Sequence, residues 1–425
     1  MKTKKKRTLI PKLRFPAFRR QPEWEVKLLR TIAKPVTDKS DNETENDILT
    51  LSAEHGLILQ EEYFNKKVAG DNAERYIRII RNDFVYNDRT TKLSTYGTIK
   101  RLSKNKGGIV SPIYKCFRFS SRENPEFWEW YFESGSHENA LGSLVNEGAR
   151  AGRFNISIDK FLSTKACLPN PTEQQKIADC LTSLDELIAA QTQKLDTLKV
   201  HKKGLMQQLF PREGETRPRL RFPEFKNSPE WKERRLGDLC ERIMDGTHFS
   251  PKTKFGSRPY LTSKNIQNGE IILSNMSYIS EDEHQQIYNR CPVKINDVLL
   301  TKDGANTGNC ALNKLDFEFS LLSSVAVLRG KPSLLKQRFL YQSILSDKIQ
   351  KIITSSMSGQ AITRITLEKI GNFTISIPQI EEQQKIATCL SSLDELIATR
   401  TKKLATLKTH KKGLMQQLFP SPEEV

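Results

Sequence analysis

The chain has 425 residues and a formal net charge of +18 at pH 7. This length supports two or three domains, each with its own core, and excludes a small single-core protein. The charge favours a polyanionic partner, with nucleic acid as the first candidate. Seven scattered cysteines without a Cys-x-x-Cys pair argue against a disulfide framework or a zinc site. No run approaches about 18 apolar residues, so we expect a cytoplasmic protein without a signal peptide or membrane contact.

The chain begins with a concentration of positive charge. Residues 1–20 contain nine Lys or Arg and no acid. We predict a basic N-terminal arm over residues 1–19, which would either contact a polyanion or lie in solvent.

A first domain is predicted over residues 20–170. Its acidic segment, 38–62, is followed by a stretch from 75 to 122 with twelve basic residues and two acids. Interleaved aromatics suit stacking on bases between phosphate contacts, and they equally suit ordinary β-strands. These aromatics are Tyr76, Phe84, Tyr86, Tyr96, Tyr114 and Phe117. A helix is expected from Glu126 to Tyr131. The candidate DNA-binding residues of this domain are Arg89, Lys92, Tyr96, Lys100 and Arg101.

A long segment then occurs twice in the chain. Residues 173–211 read EQQKIADCLTSLDELIAAQTQKLDTLKVHKKGLMQQLFP, and residues 382–420 repeat 32 of these 39 letters. A second pair of matching segments, 11–24 and 218–231, precedes each half. The chain is therefore a tandem duplication offset by about 208 residues, with matching ends and unlike middles.

Each repeated segment is typical of a coiled-coil helix, because its apolar residues follow a four-three spacing. We predict long helices over 171–211 and 378–420, with Thr172 and Gln175 capping the first. About 37 residues at ~1.5 Å each would give a rod of roughly 55 Å. The expected apolar seam consists of Ile177, Leu181, Leu184, Ile188, Leu195, Leu198, Ile386, Leu390, Leu393, Ile397, Leu404 and Leu407.

The nearest partner for each helix is the other copy. We expect an antiparallel coiled coil with pseudo-two-fold symmetry, in which polar seam positions fix the register. These positions are Gln191, Lys202, Arg400 and Lys411. The alternative is two ordinary core helices in separate domains. It is disfavoured because the exposed helix faces are also nearly identical.

A second domain is predicted over residues 212–377, with a helix from Leu334 to Ile353 and a tail over 421–425 beyond the second long helix. Tyr260–Ile266 and Thr301–Ala305 are read as strands, the latter running into a glycine turn. Asn and Lys can read adenine and guanine edges, although both are also common in ordinary loops. The candidate DNA-binding residues here are His248, Lys252, Lys254, Lys264, Asn265 and Lys302.

The predicted fold class is α+β, with two α/β domains joined by two long helices. This order, together with specific motifs, resembles the specificity subunits of Type I restriction-modification enzymes over essentially the whole chain. The motifs are the twin EQQKIA, LDELIA and HKKGLMQQLFP helices, the DGTHFSP loop at 245–251, KINDVLLTKDGA at 294–305 and GGIVSPIYKCFRF at 107–119.

The resemblance implies that each middle is a target-recognition domain that reads one half of a split DNA sequence. It also implies that the helices set the spacing and dock two adenine-N6 methyltransferase subunits, alongside restriction and translocase subunits. Double-stranded DNA would be the ligand. S-adenosylmethionine, ATP and Mg would be bound by the partner subunits, with no cofactor on this chain.

The sequence lacks the motifs that catalysis on DNA would require. The nearest match to an adenine methyltransferase motif, Asn124-Pro125-Glu126-Phe127, has Glu in place of the second Pro and makes a plain helix start. Neither a glycine-rich S-adenosylmethionine loop nor a Walker loop is present. No catalytic or metal-binding residues are therefore predicted.

Three other hypotheses remain open. The chain could be a self-contained DNA-modifying enzyme, which the missing motifs disfavour. It could serve a related modification-only system. It could also be a structural coiled-coil dimer that is indifferent to DNA, whereas DNA binding should weaken steeply with salt.

Overall fold

The computed structural model describes residues 9–40, 47–65, 73–90, 94–144, 155–252, 255–267, 269–274, 276–357 and 364–420. They fall into two compact units. The first contains Met1–Thr192 and Lys403–Val425, and the second contains Gln193–Lys402. Three sequence predictions lie outside the described residues, namely the first eight residues of the basic arm, the candidates Lys92 and Lys254, and the tail 421–425.

The first unit is a mixed α+β body. Its strands are β1 (Glu25–Leu28), β2 (Ala33–Pro35), β3 (Ile48–Ser52), β4 (Gly56–Leu59), β5 (Ile77–Ile80), β6 (Phe84–Asn87), β7 (Thr98–Arg101), β8 (Gly107–Val110), β9 (Lys115–Phe119) and β10 (Lys165–Leu168). Its short helices are α1 (Gln60–Phe64), α2 (Pro125–Glu133), α3 (Glu138–Gly142) and α4 (Ile158–Leu162). The sheets have the orders β2-β9-β6-β7, β4-β3-β8-β5 and β1-β10.

The core of the first unit is unusually aromatic. Phe84 stacks on Phe117 with ring centroids 5.4 Å apart, and Phe119 stacks on Trp128 at 4.4 Å. Phe84, Tyr86, Tyr114 and Phe117 are all buried. These four aromatics of the basic stretch therefore belong to strands and core. For them the interpretation as ordinary β-strand residues holds, and stacking on bases does not.

The second unit has the same kind of framework. Its strands are β11 (Lys232–Arg235), β12 (Cys240–Asp245), β13 (Arg258–Leu261), β14 (Ile266–Gln267), β15 (Glu270–Ile271), β16 (Ser277–Ile279), β17 (Val298–Thr301), β18 (Cys310–Leu312), β19 (Ser320–Leu321), β20 (Val325–Gly330) and β21 (Thr374–Ile377). The sheets are β12-β20-β17-β18, β16-β13-β19, β14-β15 and β11-β21.

Two long helices accompany these units. The helix α5 spans Pro171–Leu209 and, after the second unit's shorter helices α6 (Leu236–Leu239), α7 (Glu281–Arg290), α8 (Gln337–Leu345), α9 (Asp347–Ser356) and α10 (Leu367–Asn372), α11 spans Ile380–Leu418. Each long helix contributes residues to both units. The α+β fold class with long helices is confirmed. Every predicted seam residue is buried or half-buried.

Within each unit the start of one long helix packs against the end of the other. In the first unit Lys411 forms an ion pair with Asp185, and Leu418 shares a core cluster with Ile177 and Leu181. In the second unit Lys202 Nζ lies 2.6 Å from Asp394 Oδ1. Lys202 and Lys411 are equivalent in the repeat, as are Asp185 and Asp394, so both units contain the same antiparallel contact.

A strap before each domain fastens these helices. In the first unit, the guanidinium of Arg14 donates two hydrogen bonds to buried Glu173 at the start of α5, at 2.8 and 2.7 Å. The backbone of Leu13 meanwhile donates to Gln417 O of α11 at 2.9 Å. In the second unit, Arg221 binds Glu382 at the same two distances. The inner part of the predicted basic arm is therefore docked on the helices.

Local predictions differ from the structure at three places. The first turn of α5 is capped by Asn170, whose Oδ1 accepts a hydrogen bond from Glu173 N at 2.9 Å, so the predicted Thr172 cap is wrong. The predicted helix from Leu334 to Ile353 is two helices, because Ser346 has an extended backbone with ψ 148°. Tyr260–Ile266 contains a 3-10 helix, Ser263–Asn265, between two strands.

Two further observations concern the described residues as a whole. None of their helices is both long and apolar enough to cross a lipid bilayer. Their seven cysteines are all free thiols.

Replacing Arg14 with Met should leave the Glu173 carboxylate buried without its cation. We expect a loss of about 3–5 kcal/mol from the stability of the first unit. Arg221→Met should weaken the second unit in the same way. Hydrogen exchange read peptide by peptide, together with urea unfolding, measures both effects. The exposed Arg20→Met is the control, and unchanged protection around Glu173 in Arg14→Met would contradict the role of the strap.

Candidate nucleic-acid interface

In the second unit, two loops leave the same edge of the β12-β20-β17-β18 sheet, at the carboxyl ends of β12 and β17. Strands β12 and β17 both pair with β20 in antiparallel fashion, with Asp245 opposite Ala326 and Thr301 opposite Val325. Their carboxyl ends therefore lie side by side. The loop that begins with Gly246 and the loop that begins with Lys302 start from this edge.

Lys302 joins the roots of these two loops. Its side chain is only 2% exposed. Its Nζ lies 3.3 Å from Asp245 Oδ2 and 3.0 Å from Asp303 Oδ2. A buried ammonium held by two carboxylates is favourable only while both partners remain, so this contact fixes the loops relative to each other. Lys302 thus occupies an internal position at the predicted interface.

The Asn265 side chain is also engaged internally. Its Oδ1 accepts a hydrogen bond from Thr262 N at 2.9 Å, and its Nδ2 donates to Ile272 O at 2.9 Å. The 3-10 helix that contains Asn265 is tied to the same sheet edge, because Ser263 N donates to Ser324 Oγ at 3.1 Å. This brings the neighbouring Lys264 close to the two loops.

Three predicted residues of this unit are exposed near that edge, namely His248, Lys252 and Lys264. His248 Nε2 lies 3.5 Å from Asp245 Oδ1, the carboxylate that also holds Lys302. The backbone N of Lys252 donates to Glu283 Oε1 at 2.7 Å, which leaves its ammonium group outside that bond. The sequence prediction and the geometry therefore converge on one cationic edge in this unit, and its binding to DNA stays a prediction.

The first unit has a matching edge. Strands β2 and β6 flank β9, and buried Asp88 directly after β6 receives Lys115 Nζ at 2.6 Å and Ile156 N at 3.1 Å. The exposed Arg89 follows Asp88. Tyr96 lies near the same edge, where it is half-buried and its carbonyl accepts a hydrogen bond from Tyr86 at 2.9 Å.

The other two candidates of the first unit point elsewhere. Arg101 pairs with Phe84 at the opposite end of β6, so Lys100 and Arg101 are not brought to the edge with Arg89. Lys100 is bonded to Glu133, and Arg101 lies 2.7 Å from Glu129 of α2. Burial raises the pKa of Glu129, which Arg101 opposes. Both cations brace α2 against the sheet, and any DNA contact by them stays a prediction.

Sequence reasoning missed a repeated ion pair at the opposite end of the same strands. Buried Asp83 and Asp297 directly precede β6 and β17, and each binds an arginine of the neighbouring strand, Arg118 and Arg329. These hydrogen bonds raise the pKa of both guanidinium groups. The repeated Asn-Asp letters before each strand carried the signal. In both copies the Asn has a positive φ, 74° at Asn82 and 69° at Asn296, as a tight turn requires.

The exposed aromatics Phe249 and Phe255 in the loop after β12 were also missed, although the sequence places them within a basic run. Asn124 caps α2 by accepting from Glu126 N and Phe127 N, which is the plain helix start that the sequence predicts. Across the ranges that the structure describes, no group of three or more His, Cys, Asp or Glu is placed to hold a metal ion.

Comparison with known proteins gives a consistent result. Residues 229–409 match the family described as the Type I restriction modification DNA specificity domain. The chain is 26% identical to the Type I restriction enzyme MjaVIII specificity subunit of Methanocaldococcus jannaschii, over 82% of each protein. It is 23% identical to the MjaIX specificity subunit of the same organism, over 74% of this chain and 69% of that one. The resemblance stated from the sequence is confirmed.

The fold is also similar to a solved structure. The Type I restriction-modification S subunit from M. genitalium superposes with a TM-score of 0.60 at 15% identity, covering 97% of this chain and 99% of that one. At this identity the likeness concerns the fold alone.

Exchanging Lys302 and Lys264 for Met should have different effects. Lys302→Met should cost the second unit about 2 kcal/mol, because two carboxylates lose their shared cation. Lys264→Met should leave stability unchanged and reduce the slope of log affinity for duplex DNA against log salt by about 0.9. Urea unfolding and a salt series measure the two. A normally stable Lys302→Met protein with a reduced salt slope would place Lys302 on the phosphates instead.

Proposed function

We propose that this protein is the DNA-reading subunit of a Type I restriction-modification complex, because residues 229–409 match the Type I restriction modification DNA specificity domain family and the chain is similar to Type I specificity subunits over most of its length. The observation that carries the proposal is the duplication. The frameworks of the two units share the Arg–Glu strap, the helix contact and the Asp–Arg strand pair, while the loops at their sheet edges differ.

Two matching frameworks that carry different loops are suited to reading two different DNA half-sites. The edge with Arg89 would read one half and the edge with His248, Lys252 and Lys264 would read the other, which gives a bipartite and asymmetric target. The paired helices would set the spacing between the halves, as dimer geometry does in other DNA-binding proteins. Cationic edges support phosphate contacts, which position a protein on the duplex without carrying sequence information.

The long helices also offer equivalent docking surfaces for two adenine-N6 methyltransferase subunits. Leu187 on α5 is 42% exposed, and its repeat partner Leu396 on α11 is 39% exposed. Ser183 and Glu186 beside the first leucine have identical, exposed counterparts in Ser392 and Glu395. Identical exposed residues around an apolar side chain support binding of the same partner at both positions.

Catalysis is assigned to the partners. Methyltransferase subunits would bind S-adenosylmethionine, and restriction and translocase subunits would use ATP and Mg, in the cytoplasm where chromosomal DNA lies. The absence of methyltransferase and Walker motifs from the sequence supports a non-catalytic role. This chain would bind DNA so that a partner enzyme can extrude the target adenine.

Deletion of the gene, followed by genome-wide mapping of N6-methyladenine, tests the proposal. We expect methylation to disappear from one split motif and to return when the wild-type gene is restored. Restoration with a foreign segment in place of residues 25–165 should change only one half of that motif. If deletion leaves every methylated motif intact, the proposed function is wrong.

Glutamate substitutions at the two exposed leucines test the docking surfaces. Leu187→Glu or Leu396→Glu should reduce bound methyltransferase from two subunits to one, and the double variant should bind none, because a charge would be placed in an apolar contact. Native mass spectrometry of the purified complex gives the stoichiometry. Val200→Glu is the matched control, since this exposed valine of α5 has the polar Thr409 as its counterpart. Two subunits bound to the double variant would exclude this surface.

A further inference from the structure

The loop after β12 is fixed at both ends by glycines that no other residue could replace. A Cβ at Gly246 would lie 1.8 Å from Leu321 O, and one at Gly256 would lie 1.8 Å from Ile279 O. Thr247 extends the first anchor, because its N donates to Leu321 O at 2.8 Å and its carbonyl accepts from Ser323 N at 2.8 Å. The two ends of the loop therefore have defined positions against β19 and β16, the outer strands of the three-stranded β16-β13-β19 sheet.

This anchored loop presents two aromatic rings to solvent. Phe249 is 77% exposed and Phe255 is 92% exposed. Neither ring belongs to a core cluster of the described residues. A turn in which Phe249 N donates to Thr247 Oγ1 at 3.2 Å holds the first ring's backbone. Rings this exposed contribute little to the stability of the fold. Because exposed apolar surface is unfavourable in water, the rings point to a partner that covers them.

The segment that contains the two rings is basic in sequence. The sequence from Phe249 to Lys264 contains four basic residues and no acid. The nearest acids on α7 are engaged with this segment, since Glu281 binds Arg258 and Glu283 accepts from Lys252 N. A polyanion therefore fits this surface better than an acidic or neutral protein face.

We propose that Phe249 and Phe255 form an apolar wedge that enters the DNA duplex and unstacks a base step in the half-site read by the second unit. This inference rests on the proposed function. Apolar side chains inserted between base steps are an established way to bend and open DNA, and flanking cations bind the phosphates on either side. The cost of unstacking depends on the base step, so the wedge selects sequence without a hydrogen bond to a base edge.

The wedge acts on one half-site only. In the first unit, the segment that follows β2, residues 36–47, contains no aromatic residue and is acidic. That unit does expose an aromatic pair, Tyr63 and Phe64, with ring centroids 4.9 Å apart. Glu61 and Glu62 precede this pair and would repel phosphates. Phe64, at 44% exposed, is therefore a matched control.

The first test restores methylation in the deletion strain with variants. Phe249→Ala with Phe255→Ala should reduce methylation of the split motif about tenfold or relax sequence preference in one half only. Phe249→Leu with Phe255→Leu should stay within about threefold of wild type, because leucine also serves as a wedge. Phe64→Ala should match wild type. Wild-type methylation by the double alanine variant would overturn the wedge. Failure of the wild-type gene to restore any motif would instead refute the proposed function.

The second test separates DNA from a protein partner. The complete specificity and methyltransferase complex is mixed with duplexes that carry 2-aminopurine at single positions of each half-site, away from the methylated adenines. Wild type and the double leucine variant should raise the fluorescence severalfold at one step of one half-site, and the double alanine variant should not. An equal rise with the alanine variant would overturn the proposal. Loss of methyltransferase subunits from that variant would also overturn it, because the rings would then contact protein.

Discussion

Everything else in this structure depends on the antiparallel contact between the long helices. Within each unit taken by itself, the same two positions of the repeat meet, Lys202 with Asp394 in one and Lys411 with Asp185 in the other. A slip of the helices by one turn, about 5.4 Å, would separate the charge pair of that unit. The Lys–Asp pair of each unit therefore selects one register, and the strap and the domain of that unit are built on it.

The part of the fold that the sequence predicts is the part that is repeated. The two long helices could be predicted because the same letters occur twice, with the apolar spacing of a helix seam. Local details could not be predicted where two neighbouring residues are chemically able to play the same role. Thr172 and Asn170 can both cap a helix, and only the folded chain shows that Asn170 accepts from Glu173 N. Apolar spacing likewise continued across Ser346, although the backbone there is extended and divides α8 from α9.

At the sheet edges prediction failed for a different reason, because the residues that bind the candidate side chains are remote from them in sequence. The residue type of Lys302 and the glycine turn beside it predict a DNA contact. In the folded chain the ammonium group of Lys302 is held by Asp245, because the pairing of β12 and β17 with β20 brings the two residues together. The side-chain amide of Asn265 is likewise engaged inside the unit, where it accepts a hydrogen bond from Thr262 N and donates one to Ile272 O. A single sequence shows neither arrangement.

The same reasoning applies to charge. Four of the twelve basic residues between 75 and 122, namely Lys100, Arg101, Lys115 and Arg118, each bind a carboxylate inside the first unit. The number of basic residues in the stretch therefore overstates how many cations face outward to contact a polyanion. Buried pairs hold each strand before its loop begins, so loop sequence can change without loss of the scaffold. A framework of this kind tolerates exposed rings at a loop such as that after β12, because the stability of the fold does not depend on them.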